Sequence, residues 1–519
     1  MIIAGIGGLL NDAACAVLRD GALAAAVEQK KVAHGHVAGE LPREAIRLAV
    51  ELAGVKPEAV DAIALVRPFA RDRETELHLA LRAWFPNSQL IIVDHHLAHA
   101  ASAFYLSPFD DAAVLTLDRF GDFRCGARWR GSGNEITAER ELYYPDSLGD
   151  LYGRVTELLG FRANAEEHKV QWMSAGGDDS LGVFRDILGS NAWPRIDQSF
   201  LDTGRMSRGG FSTKFYDALG VEDEAPIPAS MRPDLAASLQ RAVVEATIRM
   251  AGDAPNLCLA GGLAFNALLV SALERTRNVF VQPAAGNAGT ALGGVLHAWH
   301  SVFGEKQRVP FDGLCLGPSF SAEDIKKVVE NCKLRFRYLA NGDELIARAV
   351  REINDQKIIA WMQGRMEFGP RALGNRSILA SPLNPYSSEN LNTFIKRREP
   401  FRKFAASVPA ELAPEYFNAG PNARFLATVG TVRPAHRKTF ESAILAGDLV
   451  RVHTVQQKDN PLYHRLLIAA GEATGLPVLY NTSFNLFADP LVCTPRDAVR
   501  SFFSSGIDAL FAGNFFLEK

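Results

Sequence analysis

Short apolar runs punctuated by glycine set the pattern of the chain up to about residue 300. MIIAGI and AACAVL flank the turn GGLLND and predict a pair of strands. PREAIRLAVELAG repeats its apolar positions at helical spacing and closes on glycine, and AVDAIALV reads as a further strand. After LIIVDHH the same succession begins again with DAAVLTLDRFGDFRCGARW, two strands about a short turn. The rhythm is α/β in two similar halves, with no tandem repeat of roughly 20–50 residues. The loop-rich stretch GEKQRVPFDGLCLGPSFS at 304–321 reads as a linker, giving two expected domains, 1–305 and 320–519.

Composition fits that division. A chain of 519 residues with 47% hydrophobic content holds more than one packed core. A formal net charge of −3 argues against a generally basic nucleic-acid binder, so nucleic acid is not an expected partner. The six cysteines (15, 125, 258, 315, 332, 493) form no CxxC pair, which excludes a cysteine zinc ribbon and suits a reducing compartment. The start carries no basic leader and no apolar run approaches the roughly 20 residues that span a bilayer. A cytoplasmic enzyme without membrane contact is the expectation.

The chemistry begins at HHLAHAASAFY. On a helix His95 and His99 share one face, while His96 points roughly 100° away from His95. That spacing suits two ligands to one metal, although such a pair taken alone is more often a hydrogen-bonded structural one. The strand AAVLTLD is expected to end at Asp118, at a sheet rim where a carboxylate could be a third ligand; two histidines and a carboxylate suit iron(II), manganese or zinc. Two glycine turns follow strands at 256–260 and 279–282. Gly261 and Gly262 lead into one helix, and Gly286, Asn287 and Gly289 into another, where backbone N–H groups could meet a nucleotide phosphate. From 365 to 403 there are eight Lys or Arg against three Glu, interleaved with Gly, Pro, Phe and Leu, a composition suited to guanidinium groups lining a phosphate pocket. LPVLYNTSFN runs a strand into a polar cluster at Asn481 to Asn485, read as a turn or a site.

Taken in order, HHLAHAASAFY, SLGDLYGRVTELLGF, EEHKV, AGGLAFN, GNAGTALGG, GRMEFGPRALGNRSILASP, IKRREPFRKFAASV, RVHTV and PVLYNTSFN resemble the NodU/CmcH-type carbamoyltransferase family over nearly the whole chain. The resemblance implies an N-terminal actin-like ATPase domain, a duplicated ribonuclease-H-like unit, and a C-terminal α/β domain similar to threonylcarbamoyl-adenylate synthase. It implies that the second domain activates carbamoyl phosphate with ATP to carbamoyl adenylate, and that the first passes the carbamoyl group to a hydroxyl or amine of a small-molecule acceptor of natural-product type. His95, His99 and Asp118 would hold a divalent metal, iron(II) first, with manganese, zinc or magnesium as alternatives. Arg371, Lys396, Arg402, Arg451 and Ser483 would act on ATP and carbamoyl phosphate. Asn11, Gly261, Gly262, Asn266, Gly286, Asn287, Gly289 and Arg365 would complete the nucleotide and metal surroundings.

The departures from the resemblance gather in the first domain. Asn11 stands where a histidine is usual, and asparagine cannot take a proton from an acceptor hydroxyl. Asn287 replaces a charged aspartate, and Arg119 follows Asp118 in place of glycine. An amine acceptor, which brings its own lone pair, fits these changes. A second reading is a carbamoyl-adenylate-forming subunit that relies on a homodimer mate or a companion carbamoyltransferase subunit for transfer. A third, an RNA-modification component, rests on the basic hairpin with Arg119, Arg124, Arg128 and Arg130.

Overall fold

The computed structural model describes residues 1–33, 35–67, 74–205, 208–486 and 489–519. The strands β1 (Ile2–Gly7), β2 (Ala14–Arg19), β3 (Ala22–Glu28), β4 (Ala62–Val66) and β5 (Gln89–Val93) form one sheet in the order β3-β2-β1-β4-β5. A second sheet contains β6 (Asp111–Gly121), β7 (Arg124–Ser132), β8 (Glu135–Tyr143), β9 (Asn256–Ala260) and β10 (Asn278–Val281) in the order β8-β7-β6-β9-β10. In each, the first three strands are antiparallel and the last two run parallel to the first. Equal order and equal direction make the first half a duplicated, actin-like α/β unit, as the repeated hydrophobic pattern foretold.

Two helices pack between these sheets. His95–Phe104 lies against β6 and β9, Gly289–His297 lies against β1 and β4, and the two contact each other. Their facing sides are alanine and glycine because the backbones nearly touch: a Cβ on Gly293 would sit 1.7 Å from the Ala98 carbonyl oxygen. The histidine helix is therefore locked from behind.

The C-terminal half is built on a ten-stranded mixed sheet among the described residues. Its centre runs Ile359–Met362, Arg376–Ala380, Leu479–Ser483, Ala405–Pro409 and Leu449–Val455. All of these neighbours are antiparallel except the last pair. The stretch 304–321 contains no helix or strand, but it is a packed strap rather than a loose tether. Leu314 and Leu316 are buried against both halves, and the Leu316 carbonyl accepts the Ala26 N–H at 3.0 Å.

Two local expectations change. Strand β6 runs on to Gly121, so Asp118 does not end it; regular pairing with β7 breaks after Leu117, and Asp118 sits in that irregularity. Asn481, Thr482 and Ser483 belong to the strand Leu479–Ser483 rather than to a turn after it.

Candidate functional site

The opening histidines divide by role. Nε2 of His95 and Nε2 of His99 both reach the same oxygen of Asp118, at 2.9 and 3.2 Å. The ligand atoms of the three residues lie within 4.8 Å of one another. Burial alone would raise the Asp118 carboxyl, but hydrogen bonds with the two imidazoles overcome it and hold it well below the usual carboxylate range. His96, fully buried, turns away: its Nε2–H donates to the Arg124 carbonyl at 2.9 Å and its Nδ1 accepts from the Thr116 hydroxyl at 2.9 Å. Burial, then the charge of His95 and His99, pulls it down to about 3, so it stays neutral and tethers the helix to the sheet.

The glycine turn after β9 aims the carboxylate. Gly261 has φ +93°, and a Cβ there would lie 2.2 Å from the Leu117 carbonyl oxygen. That close approach lets the Gly262 N–H reach the second oxygen of Asp118 at 3.2 Å. Gly289 is likewise a matter of backbone contact, against Ala284. Asn266 caps the helix Ala267–Glu274 through Leu269 N–H and exchanges hydrogen bonds with Gln240.

In the C-terminal half the basic run splits into structural and free guanidinium groups. Glu367, fully buried, accepts three backbone N–H bonds, from Leu373, Asn375 and Arg376, with one oxygen. The buried Arg376 guanidinium donates to the carbonyls of Gln363, Gly364, Asn375 and Pro318. These bonds freeze the loop that presents Arg371. Arg365, expected beside the nucleotide, is consumed by the carbonyls of Ala24, Leu316 and Gly317 and does not line the cavity. Lys396 is buried and bonds to the Ser483 and Asn485 carbonyls and the Asn485 side chain, so it braces the loop that carries Ser483.

One cavity of about 480 Å³ joins the two halves. Asn11, Asp118, Gly262, Asn266, Gly286 and Asn287 line it from the first half, and Arg371, Arg402, Arg451 and Ser483 from the second. Gly261, Gly289, Lys396 and Arg365 stand behind or outside this wall. Sequence reasoning gave no role to His168, Gln171, Arg398 or Lys403, which also line it. His168 was visible within EEHKV and Arg398 within the basic run, but nothing in either motif says which way a side chain points.

The electrostatics are those of a site awaiting an anion. No ion pair among the described residues involves Arg371, Arg398 or Arg451. Burial and the neighbouring Arg402 draw Arg371 down to about 10, and burial with Arg402 draws Arg398 to about 9; both remain cationic at neutral pH. Burial, then Arg402 and Arg371, presses His168 down to about 3. His168 Nε2, Gln171 Nε2, Asn287 Oδ1, Asn481 Oδ1 and a terminal nitrogen of Arg398 are buried without a hydrogen-bond partner among the described residues. Buried polar atoms are rarely left so unless a ligand completes them.

The basic hairpin is a different matter. Arg119 pairs with Asp150, Arg124 with Asp94 and Glu141, Arg128 with Glu139 and Arg130 with Asp111. A hairpin whose arginines each face a carboxylate does not favour RNA. No helix among the described residues is long and apolar enough to cross a membrane.

Residues 78–296 match the Carbamoyltransferase N-terminus family and residues 350–519 the Carbamoyltransferase C-terminus family. An uncharacterized protein of Synechocystis sp. is 32% identical over 100% of this chain and 96% of its own. Nodulation protein NolNO of Sinorhizobium fredii is 31% identical over 98% of this chain and 79% of its own. The 3'-hydroxymethylcephem-O-carbamoyltransferase of Amycolatopsis lactamdurans is 28% identical, covering 82% of this chain and 80% of its own. With matches along both halves and a cavity shared between them, the chain belongs to the carbamoyltransferase family and is a transferase.

Proposed function

We propose that the chain activates carbamoyl phosphate with ATP in the C-terminal half, 320–519, where water releases inorganic phosphate and the carbamate oxygen displaces pyrophosphate from the α-phosphate to give carbamoyl adenylate, and that it transfers the carbamoyl group to a small-molecule acceptor in the N-terminal half, 1–305, with AMP leaving. The observation that carries this reading is one cavity walled by Arg371, Arg398 and Arg451, which form no ion pair among the described residues, on one side and by Asp118, with His95 and His99 behind it, on the other. Two polyanions meet only where positive charge offsets their repulsion and stabilises the leaving pyrophosphate. Ser483 and Asn481 offer hydrogen bonds at the same wall.

The donor set His95, His99 and Asp118 fits a divalent cation, with three ligand atoms already converged. Bound there, such an ion would supply Lewis-acid polarisation of the carbamoyl carbonyl. Iron(II) is the first choice for two imidazoles and a carboxylate, ahead of manganese, zinc or magnesium. Asn11 lines the cavity and cannot accept a proton, which supports an amine acceptor over an alcohol.

The test is exchange of labelled pyrophosphate into ATP. It should require carbamoyl phosphate and fall at least a hundredfold in Arg451→Gln, since a charge-assisted contact to phosphate is lost in a dry site. Exchange independent of carbamoyl phosphate would refute the activation step. Labelled carbamoyl product arising from alcohols but not from amines would refute the choice of acceptor.

A further inference from the structure

Arg119 is the residue of the cavity wall whose geometry the proposed reaction leaves unused. It follows Asp118 in β6 and lies across the helix Leu148–Leu158, whose Gly153 leaves it room: a Cβ there would come within 3.4 Å of the guanidinium carbon. Its Nε donates to Asp150 at 2.9 Å, and Asp150 also accepts from Arg154 at 2.8 Å. One carboxylate shared by two guanidinium groups leaves a positive charge unmatched. The terminal nitrogens of Arg119 enter no hydrogen bond among the described residues, and the side chain lines the cavity beside Asp118. Asp150 thus aims this arginine without exhausting it.

An aromatic platform stands next to it. The Arg119 guanidinium carbon is 5.2 Å from the Phe120 ring centre, and Phe120 packs on Tyr144 with ring centres 5.2 Å apart. Both rings are large and open, at 50% and 40% exposure, where aromatic side chains of this size are normally covered. A cation and a half-open aromatic pair, in consecutive positions after a residue of the transfer centre, have the makings of a recognition surface rather than of a structural salt bridge; the Arg154–Asp150 pair already serves the latter purpose.

We infer that Arg119 with Phe120 and Tyr144 forms the acceptor subsite, and that it selects an acceptor carrying a carboxylate or phosphate next to an apolar ring. This rests on the proposal that the cavity wall around Asp118 is where transfer occurs. The guanidinium would bind the anionic group with its free fork while the ring of the acceptor lies against Phe120. An acceptor of that kind reaches the Asp118 side of the cavity without competing for the arginines of the activating half.

The matched probes are 4-(aminomethyl)benzoate and its methyl ester, titrated into the full chain with AMP and pyrophosphate at saturation so that Arg371, Arg402 and Arg451 are occupied. The carboxylate is expected to bind about tenfold or more tightly than the ester, the usual worth of a hydrogen bond to a charged group. That preference should vanish in Arg119→Gln and persist in Arg119→Lys, and Phe120→Ala should weaken both probes alike. Equal affinity of the two probes for the unaltered protein, binding of neither, or a preference that survives Arg119→Gln would overturn the inference. Because these are binding measurements, failure of the pyrophosphate exchange would show separately as failure of the activation reading.

Discussion

Arg371 and Arg376 stand five residues apart in one motif and have opposite fates, and no feature of their own side chains decides it. Arg376 is fully buried with four carbonyls within reach, whereas Arg371 is offered to a cavity and forms no ion pair among the described residues. The same split separates Arg365, spent on carbonyls, from Arg451, stacked on Trp172 at 5.1 Å. Sequence composition marks the run as unusual; only the carbonyl positions reveal which member is free. His453 shows the same principle in a titration. It is buried, hydrogen-bonded with Ser407 at 3.0 Å, and burial draws it from 6.5 down to about 3. The unfolded chain therefore takes up a proton that the folded chain refuses between about 3 and 6.5. Its contribution to stability is complete above pH 6.5 and shrinks as the pH falls through that window. Between pH 5 and pH 7 the stability read by urea unfolding should change by about 2 kcal/mol less in His453→Gln than in the unaltered chain, a shallower pH slope. An unchanged slope would mean that His453 is protonated in the fold.

At the level of elements, the strands and helices of the first half were legible because their hydrophobic periods are clean, and the duplication followed from reading the same order twice. The errors fell where a strand borders the cavity. Leu479–Ser483 carries Asn481 and Ser483 on the cavity wall, so its composition imitates a turn. Strand β6 is interrupted at Asp118 without ending, which alternation cannot register. The glycine turn at Gly261 has a structural reason that its sequence does not show, the close contact with the Leu117 backbone. Gly261→Ala would meet both a left-handed φ and a backbone oxygen 2.2 Å away. The turn must shift and release the Gly262 N–H from Asp118. A loss of about 2 kcal/mol or more in stability is expected for such strain, together with weaker uptake of added iron(II) or zinc by the purified chain. Retention of both would show that the turn tolerates a side chain and does not aim the carboxylate.

Across the whole molecule the two halves are joined by a buried ion pair that no local signal announces. Glu28 and Lys31 occur in VEQKKV, which reads as ordinary surface, yet their side chains are 9% and 6% exposed and paired with each other. Lys31 also donates to the Gly369 carbonyl at 2.5 Å and the Glu367 carbonyl at 3.2 Å, while Glu28 accepts the Gly369 N–H at 3.0 Å. Their partners are more than 330 residues away in sequence, just before Arg371, so the first half grips the loop that presents Arg371 to the cavity. Lys31→Met would leave Glu28 buried and uncompensated, a change that typically costs about 3–5 kcal/mol, whereas adding Glu28→Gln removes the stranded charge and should recover a large part of it. Urea unfolding of the single and double variants measures this difference directly. The double variant, stable again but with its grip on Gly369 loosened, should raise the KM for carbamoyl phosphate in the exchange reaction more than it lowers kcat, because Arg371 would be present but no longer held in place. A double variant with restored stability and an unaltered KM would show that the ion pair merely cements the halves together and that the Glu367 clamp positions Arg371 by itself.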